Sequence, residues 1–497
     1  MTPDTPSSAP GGPPPGGDLL ATAQAGPAAA RGGALRVGGY LVAAAFSVVS
    51  AALLFRHLGV GDAGRYVTVA TLVIVFTGFT EAGLWGVAVR ELSAPADRRR
   101  EQLMRDLMGL RLALSAVAAL GAVAFAAAAG YGSSLVLGTV VFGVGTIFGG
   151  LQVMLSAALA AKLRYGWVSA LDLVRQLITV ALIVAFVLLD GELLSFLAIS
   201  VPAALAALVP TVVLVRGDIP MMPRFERAVW AGLLREVLPF AAATAVAASY
   251  FRVSLVLMSV ISSEQQTGYF SASFRVVEVL LVVPALIVGS ALPIFARAAA
   301  DDPDRLRFGV QRVLDTTVIL GVLVSLGVFV GAPAIIDIVA GGSFEPAANV
   351  LRVQSIGLLA AFVSTVWTFA LLSLGRYRAI LVLTSVPLVL NVALTAALAP
   401  SEGATGAAIA TAVGESVLAI GGAVVLMRVM SPRRISVMPV IRALAVGMPC
   451  AALALVDGVS SIALAVAAGA LFLVAIWAVR GIPPDLLADV RGGRGTR

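Results

Sequence analysis

Long apolar runs separated by short polar stretches fill this chain from residue 35 to residue 479. Most runs are about 20 residues or longer, the length that an α-helix needs to cross the hydrocarbon core of a bilayer. Runs of this length indicate helices rather than the strands of a barrel. The pattern predicts an all-α polytopic membrane protein with about 14 transmembrane helices, over residues 35–57, 65–89, 104–128, 134–161, 166–189, 193–215, 231–259, 267–296, 308–331, 350–373, 378–398, 403–428, 437–456 and 459–479.

The polar stretches between the runs alternate in arginine content. One set is basic and includes ADRRREQLMRD, whereas the other set is nearly free of basic residues and includes YGSS, LDGE, SSEQQTG and VDGVSS. Arg56, Arg65 and Arg352 are the exceptions. Because basic loops stay on the cytoplasmic side, the alternation predicts a multi-pass protein of the plasma membrane with both termini in the cytoplasm.

Two turns of the chain resemble each other six helices apart. RHLGVGDAGRY joins the first two predicted helices and SVISSEQQTGY joins the seventh and eighth, and each ends in Gly and a nearby Tyr: Gly64 with Tyr66, and Gly268 with Tyr269. An even offset keeps orientation, so the pattern indicates two parallel repeats about an axis along the membrane normal. Residues 1–33 are rich in Pro, Gly and Ala and predict a disordered tail.

Composition excludes several classes of protein. The net charge of +7 would suit a nucleic-acid partner, but the arginines lie in short loops where membrane orientation explains them, so we expect no nucleic acid. The chain has one Cys, one His and one Lys, which leaves no set of residues for a Cys/His metal site. Lys162 lies in AAKLRYG, which is no phosphate-binding loop, so we expect neither ATP nor another cofactor.

Three charged residues lie at membrane depth in the seventh and eighth predicted helices: Arg252, Arg275 and Glu278. A buried charge here normally faces a bundle interior or a watery cavity. Two arginines indicate a substrate cavity that an anionic group enters, and Tyr250 and Tyr269 lie near them in sequence. The alternative is that Glu278, three residues beyond Arg275 on the same helix face, forms a purely structural pair with it.

Three more polar residues lie within apolar helices: Glu81, Asn391 and Glu415. An intramembrane carboxylate is a functional candidate by default, so these residues are candidates for cavity contacts or for coupling to an H⁺ or Na⁺ gradient. Helix capping and hydrogen bonding between helices explain them equally well.

The stretch LLFRHLGVGDAGRYVTVATLVIVFTGFTEAGLWGVAVREL resembles the opening of bacterial polysaccharide flippases of the multidrug/oligosaccharidyl-lipid/polysaccharide (MOP) exporter superfamily. The shared pattern is met by Arg56, Leu58, Gly59, Gly64, Tyr66, Glu81, Gly83 and Leu84, with Glu81 where Asp is commoner. Later stretches agree, including TGYFSASFRVVEVLLVVPALIVGSALPIFAR and LAPSEGATGAAIATAVGESV. Together they cover most of residues 35–430.

The resemblance implies two six-helix lobes around a central cavity, residues 34–216 and 217–430, followed by helices 13 and 14 within 431–480 and a cytoplasmic tail over 481–497. It implies alternating access that carries an oligosaccharide on undecaprenyl pyrophosphate from the inner to the outer leaflet, not an enzyme's reaction. With such a cargo, Tyr250 and Tyr269 are placed to touch sugar. Two alternatives stay open within the superfamily, namely a flippase for the lipid-linked peptidoglycan precursor and a cation-coupled multidrug exporter. A membrane glycosyltransferase is disfavoured because the loops are short and carry no acidic metal-binding motif.

Overall fold

The computed structural model describes residues 25–81, 83–93, 98–162, 164–220, 222–430, 435–456 and 458–479. Every regular element in these residues is a helix, which confirms the all-α prediction. The chain falls into two units, residues 1–45 and 46–497, and all contacts below lie within the second. The helices are α1 (Ala25–Glu81), α2 (Leu84–Leu92), α3 (Arg98–Ala128), α4 (Ser133–Ala161), α5 (Tyr165–Leu188), α6 (Leu193–Ala198), α7 (Ser200–Val215), α8 (Arg227–Ile261), α9 (Glu264–Asp301), α10 (Pro303–Ala340), α11 (Ala347–Ser373), α12 (Tyr377–Val429), α13 (Met438–Ala451) and α14 (Ser461–Ala478).

Two of these helices are too long to be single membrane spans. At 1.5 Å per residue, the 57 residues of α1 and the 53 residues of α12 would extend roughly 80 Å or more, against a hydrocarbon core of about 30 Å. Gly59 in α1 (φ 72°, ψ −178°) and Gly403 in α12 (φ 56°, ψ −133°) leave the helical conformation. Glycine adopts positive φ without steric cost, so these two residues are where α1 and α12 each divide into two spans.

Eleven segments of the described chain are long and apolar enough to cross a membrane. Two of them, Ala45–Gly78 and Tyr377–Val429, contain the glycines just described and therefore two predicted spans each. Helix α8 covers the predicted span 231–259, so each of the 14 predicted spans coincides with helical structure. The protein is a multi-pass membrane protein.

The last residues of the predicted disordered N-terminal tail are helical in the structure. Helix α1 begins at Ala25, inside the stretch predicted to be disordered, whereas residues 1–24 lie outside the described part. The sequence AGPAAARGGALRV is rich in alanine, the best helix former, which explains why the helix starts before the apolar run. The predicted tail over 481–497 also lies outside the described residues.

Most helices pack against neighbours from the same end of the sequence, and one buried cluster joins α1, α5, α6 and α7 to α9, α10 and α11. Helix α4 packs against α3 and α7, whereas α11 packs against α9, α10 and α12, and both α13 and α14 pack on α10. One buried cluster joins residues of α2, α3, α4 and α7, including Leu107 and Leu159, and another joins α9, α10, α11 and α14, including Trp367 and Phe472. The boundaries of the two lobes at 216 and 430 stay a prediction.

Several turns meet at one end of the bundle, and we call residues 56–65, 261–268, 337–346 and 399–404 the turn cluster. Arg65 pairs with Glu264 (Nη2 to Oε2 2.8 Å) and with Asp62 (2.9 Å). Arg56 donates to the carbonyl oxygens of Asp337 (2.7 Å) and Ile338 (3.2 Å). Arg56 and Arg65, two of the three arginines that break the alternation of basic loops, therefore have a structural role.

Candidate functional site

The charged residues at membrane depth line one cavity of about 270 Å³. Its walls come from both halves of α1, from α4, α5, α8 and α9. Among the described residues that line it, only Arg252, Arg275 and Glu278 are charged. The rest of the lining is mostly apolar, with six uncharged polar side chains: Ser50, Tyr66, Thr71, Gln176, Thr179 and Ser271.

The carboxylate of Glu278 bridges the two arginines. Its Oε1 accepts a short hydrogen bond from Arg252 Nη2, and its Oε2 accepts from Arg275 Nη1 at 2.7 Å. Arg275 also donates through Nη2 to the hydroxyl of Ser47 on α1. The predicted pair of Arg275 and Glu278 is therefore present, and Arg252, from the neighbouring helix, shares the same carboxylate.

The three charges form a site with a net charge of +1. The side chains are partly open to the cavity, with 25% of Arg252, 36% of Arg275 and 27% of Glu278 exposed. Partial exposure means that water screens the pairs, so their contribution to stability is small compared with that of a fully buried pair. The two planar guanidinium groups line one cavity, and their N–H donors suit phosphate or carboxylate oxygens.

The two tyrosines proposed to touch sugar are not among the cavity-lining residues. Tyr250 is buried (2% exposed) on the side of α8 that faces α12, where a Cβ on Gly414 would lie 3.0 Å from its hydroxyl. Tyr269 packs edge-on against Phe344, with ring centroids 6.4 Å apart. Their role in recognising sugar stays a prediction.

Glu415 and Asn391 lie away from the cavity in a second polar region, inside the packing of α8, α11 and α12. Glu415 (3% exposed) is within hydrogen-bonding reach of Tyr250. It lines a small cavity of about 20 Å³ beside the buried amide of Gln354, which is room for roughly one water molecule. Asn391 accepts hydrogen bonds from Ser254 (2.9 Å) and Thr395 (3.0 Å).

The last of the polar candidates, Glu81, ends α1, and its side chain lies outside the described residues. In the part of the chain that the structure describes, no group of three His, Cys, Asp or Glu side chains is placed to hold a metal ion.

Sequence reasoning missed the hydroxyl groups of the cavity. Ser50, Thr71 and Thr179 lie in apolar helices, where small residues also serve close helix packing, so nothing in their pattern singles them out. The available signal was Gln176, a large polar side chain inside the apolar α5.

Beside the cavity, the turn cluster holds α1 against α9 through two glycines. A Cβ on Gly64 would lie 2.7 Å from the carbonyl oxygen of Glu264 and 2.9 Å from the amide nitrogen of Gly268. A Cβ on Gly268 would overlap the carbonyl oxygen of Val60. The two contacts are equivalent, because each glycine faces the carbonyl oxygen of the residue four positions before the other glycine. This equivalence agrees with the repeat indicated by the sequence.

Comparison with solved structures identifies the fold of this helix bundle. The chain matches "Lipid II flippase MurJ, inward closed conformation" with a TM-score of 0.68 at 12% identity, over 88% of this chain and 97% of that one. It matches an inward-facing multidrug resistance MATE family transporter of the MOP superfamily with a TM-score of 0.63 at 13% identity, over 78% and 95% of the two chains. The fold is therefore that of the MOP superfamily, as the resemblance implied.

The sequence itself matches a family. The model for polysaccharide biosynthesis proteins matches residues 53–349, more than half of the chain, so the protein belongs to that family. A third structure with this fold is a MOP superfamily transporter from Pyrococcus furiosus, described as one in which the reverse polarity of the binding pocket suggests a different function (TM-score 0.54, 12% identity, 80% and 96% covered). No curated protein sequence matches the chain significantly.

Proposed function

We propose that this protein is a flippase that moves an oligosaccharide linked to undecaprenyl pyrophosphate from the inner to the outer leaflet of a bacterial plasma membrane. The observation that carries the proposal is the pair Arg252 and Arg275 in one cavity, bridged by a single carboxylate. A guanidinium binds phosphate oxygens with two parallel hydrogen bonds, which suits a diphosphate headgroup. Membership in the polysaccharide biosynthesis family supports a sugar as the other half of the cargo.

The proposed mechanism is alternating access. The headgroup and sugar enter the cavity while the lipid tail stays in the bilayer, and the cavity then opens toward the opposite side. The protein performs no covalent chemistry on its cargo. We propose further that both termini face the cytoplasm, that ATP and nucleic acid take no part, and that an H⁺ or Na⁺ gradient or the membrane potential drives the cycle, with Glu415 as a candidate coupling residue.

Two other cargoes are alternatives to the lipid-linked oligosaccharide. A lipid-linked peptidoglycan precursor carries the same diphosphate, so the cavity residues suit it equally, and the flippase fold match agrees with it. A cationic drug is disfavoured because the net charge of the described cavity residues is +1. A cation would meet two arginines and only one carboxylate.

The test is translocation in proteoliposomes of a fluorescent N-acetylglucosamine linked to a polyprenyl diphosphate. Charge-assisted hydrogen bonds are worth about 1.5–3 kcal/mol, so Arg252→Gln or Arg275→Gln should reduce translocation roughly 10- to 100-fold. Arg252→Lys keeps the charge without the planar fork and should recover only part of the activity. Arg376→Gln, at an exposed residue outside the cavity, is the matched control. Normal translocation by both cavity variants at normal abundance would refute the proposal.

A further inference from the structure

We propose that Glu278 is a built-in competitor for the cargo's diphosphate: it occupies Arg252 and Arg275 when the cavity is empty, yields them when the headgroup enters, and takes them back when it leaves. The inference rests on the proposed function above and adds to it a residue that sets both affinity and release. It assigns Glu278 a role beyond structural pairing with Arg275.

The geometry of the carboxylate is the first argument. Each of its two oxygens accepts from a different arginine, so the carboxylate occupies the place where the oxygens of a phosphate would lie between the two guanidiniums. Among the described residues that line the cavity, Glu278 is the only acidic one. The arginines therefore have one resident anion and no other carboxylate of the cavity lining to take its place.

The charge balance is the second argument. Each phosphate of a diphosphate that is esterified at both ends, as in a lipid-linked sugar, carries about one negative charge. The two charges match the two arginines and are repelled by the carboxylate of Glu278 between them. With Glu278 in place the site offers a net charge of +1. A headgroup that uses both guanidiniums must therefore displace the carboxylate from at least one of them.

Release is the third argument. Two arginines without a resident anion would hold a diphosphate tightly, and tight binding slows the step in which a transporter lets its cargo go. Glu278 is attached to the same helix as Arg275, three residues away, so it competes as an intramolecular ligand at high effective concentration. Its return to both arginines lowers the net charge of the emptied cavity from +2 to +1, and a partly buried charge without a partner is costly.

The two arginine contacts of Glu278 differ in how firmly each arginine is held. Arg252, on α8, contacts the carboxylate through Nη2, and each guanidinium carries five N–H donors. Arg275 is held at a second point by Ser47. Arg252 has no comparable second contact among the hydrogen bonds of the described residues, so the Arg252 pair is the one expected to open first.

The experiment measures binding of farnesyl diphosphate and farnesyl monophosphate to the full-length protein in lipid nanodiscs, with empty nanodiscs to correct for partition into lipid. Glu278→Gln should bind the diphosphate about tenfold or more tightly than the unmodified protein, with a smaller gain for the monophosphate. Glu278→Asp keeps the charge but is shorter by one methylene and cannot reach both arginines, so its affinity should fall between the two. Glu101→Gln, at an exposed carboxylate outside both the cavity and the turn cluster, should change nothing.

The second measurement is translocation of the fluorescent polyprenyl diphosphate-linked N-acetylglucosamine in proteoliposomes. Glu278→Gln should translocate several-fold more slowly despite binding more tightly, a combination that a merely structural pair does not produce. A Glu278→Gln protein that binds the diphosphate no more tightly than the unmodified one overturns the inference. If Glu278→Gln does not fold, as judged by its melting temperature in nanodiscs, the same comparison is made with Glu278→Asp, and unchanged or weaker binding by that variant overturns it.

The proposed function fails in a different way. If the unmodified protein binds farnesyl diphosphate no better than the Arg252→Gln/Arg275→Gln double variant, the cavity is not an anion site and both ideas fall. If the arginines are needed but removal of the Glu278 charge does not tighten binding, the flippase proposal stands and the competitor role is wrong.

Discussion

Helices α1 and α9 approach each other closely at the turn cluster, so we predict that adding a single methyl group at this contact opens the cavity. The change is Gly268→Ala or Gly64→Ala, each of which places a Cβ against the backbone of the other turn. Both residues lie where helices α1 and α9 meet next to the cavity, and Arg65 and Glu264 pair across the same contact at 2.8 Å. Neither substitution alters a charge or a cavity-lining side chain, so the effect isolates the contact itself.

The size of the effect follows from the distances. A Cβ on Gly64 would lie 2.7 Å from the Glu264 carbonyl oxygen, whereas an ordinary contact is at 3.4 Å or more, so the turns must separate by about 0.7 Å. Overpacking of this kind costs about 1–3 kcal/mol. Because 1.4 kcal/mol is a factor of ten, the equilibrium between joined and separated turns should shift by roughly 5- to 150-fold toward separation.

The assay is the rate at which a membrane-impermeant maleimide labels a cysteine in the cavity wall. Thr71→Cys in a Cys450→Ala background gives a single target, since Cys450 is the chain's sole cysteine. Gly268→Ala should raise the labelling rate from the turn-cluster side by the factor above. Gly289→Ala, also on α9, adds a Cβ at an ordinary 3.7 Å from Phe369 and is the matched control. Equal labelling rates for Gly268→Ala, Gly64→Ala and the control would show that this contact does not close the cavity.

Three further predictions follow from the sequence pattern and the buried carboxylate. Single cysteines at Gln265 and Glu101 in the Cys450→Ala background should label from opposite sides of the membrane, and labelling of both from outside intact cells would refute the topology. Transport by purified protein in vesicles should proceed without ATP and respond to an ion gradient or to the membrane potential; strict ATP dependence would contradict this. Glu415→Gln should accumulate normally and bind farnesyl diphosphate normally but lose the response of transport to a pH or sodium gradient, and an unchanged response would remove Glu415 from the coupling hypothesis.

The sequence was sufficient for features whose cause is local. Apolar runs of membrane length predicted the helices, because the bilayer requires each span to satisfy its own backbone hydrogen bonds. The pair of Arg275 and Glu278 was also predictable from local sequence, because residues three apart share a helix face. The matched turns around Gly64 and Gly268 were also visible as a repeat.

What the sequence did not reveal depends on contacts between distant segments. Arg252 and Glu278 are 26 residues apart on different helices, and nothing in their spacing shows that they share a cavity. Tyr250 is close to Arg252 in sequence, yet it faces α12 while Arg252 faces the cavity, because adjacent positions on a helix point in different directions. The reciprocal contact of the two glycines likewise appears only when α1 and α9 are brought together.

The central claim is that Arg252 and Arg275 bind the diphosphate of a lipid-linked sugar, and native mass spectrometry of the protein purified from its own membranes tests it most directly. The account predicts a bound polyprenyl diphosphate carrying sugar on the unmodified protein and on Arg376→Gln, and its loss from the Arg252→Gln/Arg275→Gln double variant. The spectrum would also identify the sugar. A bound molecule without phosphate, or the same diphosphate lipid retained at equal occupancy by the double variant, would contradict the account.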